Sequence, residues 1–201
     1  MSIREQFLQL KQDFDDVYGA GKTAERSDFW EVFQNGGAEA NYYYAFAYGT
    51  FTDANYNPKY DIKCLSGTTP GRYVFHKSTD ITDTKVGIYT NNNDAQYIFA
   101  DSRLVTIRLF HVHESTNLNN AFQGCDRLVN LTMGGVIGSD LNLKPCTKLS
   151  KESIESVVEH LSDNVTGKTV TLSSTALSQW YTPDEWKEYI KIKPNWTFTV
   201  A

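Results

Sequence analysis

The sequence predicts an α/β fold in which short repeats each add one strand to a parallel β ladder. A phenylalanine recurs at spacings of 24 and 23 residues, and a serine or cysteine follows each one three positions later. These residues are Phe75, Phe99 and Phe122 with Ser78, Ser102 and Cys125. Internal periods of 20–29 residues that mix short strands with aliphatic positions are typical of solenoids, in which each repeat packs on its neighbours.

The bulk composition is that of a folded chain and excludes several classes of partner. The chain has 201 residues, 40% hydrophobic and 21% charged, with a net charge of −5. An acidic chain without a Lys/Arg cluster is a poor partner for nucleic acid or an anionic membrane. No apolar run approaches the roughly 20 residues of a membrane helix, so we expect no membrane insertion. The N-terminus lacks a signal peptide, so we expect synthesis in the cytoplasm.

Residues 1–36 predict a helical N-terminal segment. Ser2 and Glu5 form a capping box. Apolar residues then recur in the a/d rhythm of a coiled-coil seam, namely Ile3, Phe7, Leu10, Phe14 and Val17. Two interpretations stay open: an amphipathic helix that lies on its own domain, or an oligomerisation or docking helix in which residues 1–18 make a homo-oligomer.

Residues 37–72 predict an aromatic-rich N-terminal cap. The segment 41–61 is rich in aromatic residues, with the turn-forming residues Gly, Asn and Pro between them. These turn-forming residues interrupt the segment too often for a long strand. One interpretation is a hydrophobic cap over the open end of the solenoid. The other is a binding face, because exposed tyrosines combine a large rigid contact area with a polar tip. The candidate binding residues are Tyr42, Tyr43, Tyr44, Tyr48 and Tyr56.

Residues 73–149 contain the repeats. A short segment suited to a strand follows each phenylalanine of the repeat, and we predict strands at 85–89, 106–110 and 130–133. Segments 169–172 and 197–200 have the same character and are predicted as later rungs of one ladder. The pattern Phe122, Cys125, Leu128, Leu131 and the period near 23 together predict a short leucine-rich-repeat solenoid.

The positions of the two repeat cysteines indicate that they pack in the core rather than take part in a reaction. Cys125 occupies the position of Ser78 and Ser102, and Cys146 continues the series in the segment CTKL. A small, weakly polar side chain suits an inward position at a bend. A reactive thiol requires a neighbouring base or cation and access to solvent. We therefore interpret both thiols as part of the core.

Residues 150–201 predict a C-terminal repeat and a helix-strand cap. Ser150 caps a helix whose Ile154, Val157, Val158 and Leu161 share one face. The segment 182–185, Thr-Pro-Asp-Glu, is a capping box with proline at the first helical position, and it begins a second helix.

The strongest metal-like cluster is His111-x-His113-Glu114. Alternate residues of a strand point to the same side, and His76, at a nearby repeat position, is a candidate additional ligand. The alternative is that Val105, Ile107 and Leu109 point inward and that both histidines lie on the solvent face. We predict no metal site and no cofactor.

No phosphate loop, nucleophile elbow or paired carboxylates are present in the sequence, so we do not expect an enzyme.

The repeat unit also resembles a known family. The pattern FxxCxxLxxL at a period near 23 is similar to the BspA-like leucine-rich-repeat proteins of gut and oral bacteria. The segments 28–62 and 149–180 resemble the end regions of short BspA-like proteins from gut Firmicutes and their phages and prophages. The resemblance covers roughly residues 28–201. This chain departs from the family pattern in its small number of repeats. It implies a non-enzymatic recognition or structural role.

Two functions follow as expectations. The first is a binding or adhesion module of a gut bacterium or its phage that recognises a protein or glycan surface. The second is a structural component of a phage tail or surface assembly. In either case the protein reaches a virion-associated or extracellular location by assembly or lysis. A metal-dependent enzyme built on His111, His113 and Glu114 is the remaining alternative.

Overall fold

The computed structural model describes residues 62–64, 72–90 and 94–201, the first of these ranges as backbone only. The strands of this part are β1 (Ile62–Cys64), β2 (Gly87–Thr90), β3 (Thr106–Val112), β4 (Asn130–Gly135), β5 (Leu141–Leu143), β6 (Lys168–Leu172) and β7 (Trp196–Val200). The helices are α1 (Lys151–Glu159), α2 (Ser174–Leu177) and α3 (Pro183–Tyr189), followed by a 3-10 turn at Ile190–Ile192. The predicted segment 1–36 and the aromatic tyrosines 42–56 lie outside the described residues.

The strands form two parallel sheets, so the predicted α/β class with parallel sheets is confirmed. The first sheet has the order β1-β2-β3-β4 and the second the order β5-β6-β7. In the first sheet Ile88 pairs with Phe110, and Phe110 pairs with Met133. Adjacent strands are therefore one sequence repeat apart, and residues of successive repeats stand side by side.

The core beneath the first sheet is a row of phenylalanines. Phe75, Phe99 and Phe122 are fully buried. The ring centroids of Phe75 and Phe99 are 5.8 Å apart, and those of Phe99 and Phe122 are 5.5 Å apart. Phe110 from β3 packs edge-on against Phe99 at 4.9 Å. Aromatic pairs at such separations add stabilisation beyond their buried area, so the row ties three repeats together.

The bends that carry these rings are themselves bonded from repeat to repeat. The Phe75 amide donates to the Ile98 carbonyl at 2.7 Å, and the Phe99 amide donates to the Ala121 carbonyl at 3.1 Å. Buried backbone groups require such partners. Successive repeats are thus joined by hydrogen bonds on the bend side as well as in the sheet.

The bends also repeat an unusual backbone conformation. Positive φ angles occur two residues before each phenylalanine, at Tyr73, Tyr97 and Asn120, and two residues after it, at Lys77, Asp101 and Gly124. This left-handed region costs most residues about 1–2 kcal/mol and is easiest for glycine and asparagine. The third repeat has Asn120 and Gly124 at the two positions, which are the residues best suited to the bend.

We expect Gly124→Ala to be strongly destabilising, and Gly167→Ala provides a matched control. Both glycines have φ near +70°, at +67° and +69°. A Cβ on Gly167 would meet nothing within 4 Å, whereas one on Gly124 would lie 3.3 Å from the Asp101 Cα and collide with the Asp101 carboxylate. The backbone change alone should cost about 1 kcal/mol, and the contact with Asp101 at least about 1 kcal/mol more. Urea unfolding of both variants measures the difference, and equal stabilities would contradict this packing of the bends.

The first sheet ends because α1 covers the free edge of β4. The Leu131 amide donates to the Ser153 hydroxyl at 2.8 Å, and the Met133 amide donates to the Ser156 hydroxyl at 2.9 Å. The Ser153 hydroxyl also donates to the Val129 carbonyl at 3.0 Å. Two serines one helical turn apart therefore take the place of the next strand, and they protect an edge that would otherwise invite pairing.

The prediction that 169–172 and 197–200 continue the same ladder is therefore wrong. These segments form β6 and β7, which pair with β5 in the second sheet. The physical reason is the helix at the strand position of the fourth repeat. The predicted N-cap of α1 is present, since the Ser150 side chain accepts from the Ser153 amide at 3.2 Å.

The C-terminal part is fastened to the preceding repeat by buried polar contacts. The Trp196 indole donates to the Ser162 carbonyl at 2.8 Å. The Lys193 ammonium donates to the Leu161 carbonyl at 2.6 Å and pairs with Asp163 at 2.8 Å. The capping box of α3 is also present at Thr182 and Glu185, and its hydrogen bonds hold the pKa of Glu185 below its usual range.

Candidate binding face

The first sheet turns one side away from the core. Ile88 and Thr90 of β2, and Phe110 and Val112 of β3, are buried, whereas the intervening Tyr89 and His111 are partly exposed. Alternate residues of a strand point to opposite faces. Tyr89 and His111 therefore lie on the outer face, and they are directly paired in the sheet.

A β-bulge in β3 decides which residues reach this outer face. The pairing of β3 with β4 shifts between Ile107 and Phe110. Ile107 and Phe110 point to the core, while Leu109 is only partly buried. The prediction that Leu109 points inward together with Ile107 is wrong for this reason, because the bulge reverses the alternation. Val105, which precedes β3, is partly buried.

Tyr89 and His111 form an aromatic pair that rests on a glycine. Their ring centroids are 5.1 Å apart and their planes are 22° apart. On the other side of His111 lies Gly134, where an added Cβ would come within 3.2 Å of the His111 ring and 2.9 Å of the Leu109 side chain. A larger residue at this position would displace the imidazole, so Gly134 fixes where the pair lies.

Neutral polar side chains continue the outer face along the strands. Thr132 and Asn130 of β4 are exposed, and Thr106 of β3 is partly exposed. The Asn130 side-chain amide donates to the Thr106 hydroxyl at 3.2 Å. With a strand rise of about 3.3 Å per residue, Asn130 lies about 13 Å from Gly134. The outer face therefore carries an aromatic pair at one end and hydroxyl and amide groups at the other.

The Arg108 guanidinium beside this polar end is paired with a carboxylate. The Arg108 Nε donates to both carboxylate oxygens of Asp83 at 3.0 Å. Burial raises the pKa of Asp83, but the hydrogen bonds from Arg108 and from the Lys85 amide outweigh it and lower that pKa overall. The bidentate pair presents little net charge to a partner.

The residues of the predicted metal-like cluster do not converge. His111 lies on the outer face beside Tyr89, while the His113 ring is exposed and hydrogen-bonded to the Ser115 hydroxyl at 3.1 Å. Glu114 turns the other way and accepts from the Ser162 hydroxyl and the Asn164 side-chain amide. In the part of the chain that the structure describes, no group of three or more His, Cys, Asp or Glu residues is arranged to hold a metal ion.

His76 lies on the bend side of the repeats and not beside His111. Its ring packs edge-on against Tyr73 at 5.3 Å and Tyr97 at 6.4 Å. Burial, with a contribution from Lys77, lowers the pKa of His76. The suggestion that it approaches the His111 cluster is therefore wrong.

The two repeat cysteines lie inside the molecule. Cys125 and Cys146 are 2% and 0% exposed. The Cys125 thiol donates to the Phe99 carbonyl at 3.1 Å, one repeat away. Burial raises the pKa of the Cys125 thiol to about 12 and also raises that of Cys146 well above its usual value. Both groups are protonated at ordinary pH, which is the opposite of an activated thiolate.

We expect neither buried thiol to react in the folded protein. In a Cys64→Ser background, a disulfide reagent should label no thiol near pH 8 and both Cys125 and Cys146 in guanidinium. The raised pKa has a second consequence, because unfolded thiols lose their protons near pH 9 while folded Cys125 keeps its proton until about pH 12. Stability should therefore fall as pH rises through this window. Rapid labelling of the native protein would contradict the burial.

The Tyr89–His111 pair at the centre of this face was not predicted from the sequence. Tyr89 lies in the strand predicted at 85–89, but that prediction does not link it to His111 or to Gly134. The available signal was the alignment of GIYT, LFHV and TMGG one repeat apart, which places Tyr89, His111 and Gly134 in one row. The tyrosines predicted to bind, from Tyr42 to Tyr56, lie outside the described residues.

Comparisons with known proteins give no family assignment. No protein-family model, no curated protein and no solved structure matches the chain. Within the described ranges, no helix has both the length and the apolar character required to span a membrane.

Proposed function

We propose that the chain is a short leucine-rich-repeat solenoid that acts as a non-enzymatic binding module, with the outer face of the first sheet as its recognition surface. The observation that supports this most is the row formed by Tyr89, His111 and Gly134 beside exposed Thr132. Aromatic rings held rigidly by a sheet bind at low entropic cost, because the side chains are already ordered. The resemblance to BspA-like proteins extends the proposal to an adhesion role for a gut bacterium or its phage.

The repeat geometry supports the solenoid part of the proposal. Parallel strands one repeat apart, a row of buried phenylalanines and repeated left-handed bends all have the same period. A stack of short repeats holds its sheet by contacts on both sides of each repeat. Such a sheet is a rigid support for a binding face.

A pair of threonine variants tests the recognition surface. Thr132 is exposed on the outer face, and Thr175 is exposed on α2. Thr132→Arg inserts a long charged side chain into the proposed surface, whereas Thr175→Arg makes the same chemical change elsewhere. The labelled full-length chain is applied to a panel of immobilised glycans and extracellular proteins. We expect saturable binding that Thr132→Arg weakens at least about tenfold, or about 1.4 kcal/mol, and that Thr175→Arg leaves unchanged.

Two results would overturn the proposal. The first is retention of the wild-type chain no better than on albumin-coated surfaces across the whole panel. The second is equal binding by both arginine variants. Urea unfolding of the two variants shows beforehand that each is folded, since surface substitutions usually change stability by less than about 0.5 kcal/mol.

A further inference from the structure

We propose that the partner of the outer face is a neutral oligosaccharide of two or more rings, aligned with the strands from the Tyr89–His111 pair toward Asn130. This inference rests on the proposed function and names its ligand class. It follows from three properties of the described face: its aromatic end, its neutral polar end and its charge balance.

The aromatic end matches the apolar side of a sugar ring. Tyr89 and His111 form a two-ring strip with Leu109 beside it, all partly exposed. A pyranose ring presents C–H groups on its faces and hydroxyl groups around its rim. Packing the C–H groups on the strip removes apolar surface from water, while Tyr89 retains a phenolic hydroxyl for hydrogen bonding.

The polar end matches the hydroxyl groups of a second ring. Thr106, Asn130 and Thr132 supply hydroxyl and amide groups that both donate and accept hydrogen bonds. The Thr106–Asn130 contact orients two of these groups toward one another. Because Asn130 lies about 13 Å along the strand from Gly134, one sugar ring cannot reach both ends. The face thus favours a chain of sugars over a monosaccharide.

The charge balance favours a neutral ligand over an acidic or basic one. At the polar end of this face, Asp83 holds the Arg108 guanidinium in a bidentate pair. A nucleic acid or acidic polymer requires uncompensated cations, and a basic peptide requires uncompensated carboxylates. A neutral sugar requires neither.

The first experiment compares ligands on the full-length chain. An array of neutral and acidic oligosaccharides from one to six rings is probed at low and high salt, followed by titration of the best neutral binder and its shorter forms. We expect binding to neutral oligosaccharides, at least tenfold stronger for two or more rings than for one. We also expect little change with salt, because screening acts on charges. A preference for acidic sugars, or a steep loss at high salt, would overturn the inference.

The second experiment locates the site with matched variants. Tyr89→Val keeps a β-branched residue in the strand but removes the ring, and Thr132→Val keeps the shape but removes a hydroxyl. We expect losses of at least tenfold and about fivefold, respectively. The control is Tyr97→Asn, which removes one ring of the Tyr73–Tyr97 stack, also at 5.1 Å, on the bend side. Asparagine occupies the equivalent position at Asn120, so the control should fold and bind normally.

The outcomes separate the ligand class from the binding function. If Thr132→Arg abolishes capture on a protein surface while no neutral oligosaccharide binds, the ligand inference fails and the proposed function stands. If no surface retains the chain, both fail. If neutral oligosaccharides bind but Tyr89→Val binds as well as wild type, the sugar site lies elsewhere and the inference is overturned.

Discussion

Replacing Phe99 with alanine should cost about 3–5 kcal/mol of unfolding free energy, the largest loss that we expect from any single change. Phe99 is fully buried, and its ring contacts Phe75, Phe110 and Phe122. It is the middle member of the row, so its removal leaves a cavity that neighbours on three sides would have to fill. Urea unfolding followed by circular dichroism measures the loss.

A conservative variant keeps this test informative if Phe99→Ala does not fold. Phe99→Leu retains much of the volume and should still cost about 1 kcal/mol, because the ring contacts are lost. Ile192, which is 54% exposed, provides the control. Ile192→Ala should change stability by less than about 0.5 kcal/mol. If Phe99→Leu were as stable as wild type, the row of rings would not be holding the repeats together.

Removing the Ser153 hydroxyl should cost about 1–3 kcal/mol, which is large for the loss of a single oxygen atom. Ser153 is 4% exposed and bonds both the Leu131 amide and the Val129 carbonyl. Ser153→Ala leaves the buried Leu131 amide of β4 without this acceptor and removes one of two donors to the Val129 carbonyl, which also accepts from the Ser150 amide. Because alanine favours helix formation, the loss cannot come from weakening α1 itself.

Ser174→Ala is the matched control for this change. Ser174 begins α2 and is exposed, so the same substitution there should alter stability by less than about 0.5 kcal/mol. Ser153→Ala should also increase self-association at high concentration, because it loosens the cover of a sheet edge. Equal unfolding midpoints for the two variants, with no change in light scattering, would show that α1 does not protect β4 through this hydroxyl.

Features set by the sequence repeat were predictable. The period of the phenylalanines placed three strands of the first sheet, since β2, β3 and β4 overlap the segments predicted for them. The caps of α1 and α3 were visible because capping depends on residues only three positions apart. Local and periodic signals require no knowledge of how distant segments meet.

The break between the two sheets was not predictable in the same way. The helix after Ser150 was expected, but its role depends on Ser153 and Ser156 facing the edge of β4. Serine within a helix usually signals only a solvated position, so its sequence carries no mark of this contact. The continuation of one ladder was the simpler expectation, and it was wrong.

The residues that form the candidate face were not predictable, because they are set by the register of the strands and by one β-bulge. The alternation of β3 is reversed between Ile107 and Phe110, which moves Leu109 outward and Phe110 inward. A shift of one residue exchanges the two faces of a strand, so an unseen bulge is enough to misplace side chains. The pairing of Tyr89 with His111 follows from the register and was therefore missed.

The stacking of the repeats is tested most directly by nuclear Overhauser effects between phenylalanine rings in a protein labelled only at phenylalanine. Phe75, Phe99 and Phe122 are assigned by replacing each in turn with leucine. We expect cross-peaks from Phe99 to both Phe75 and Phe122, whose centroids lie 5.8 Å and 5.5 Å away. We expect none between Phe75 and Phe122, which are two repeats apart. Cross-peaks joining Phe75 directly to Phe122, or none from Phe99 to either, would contradict the stacked arrangement.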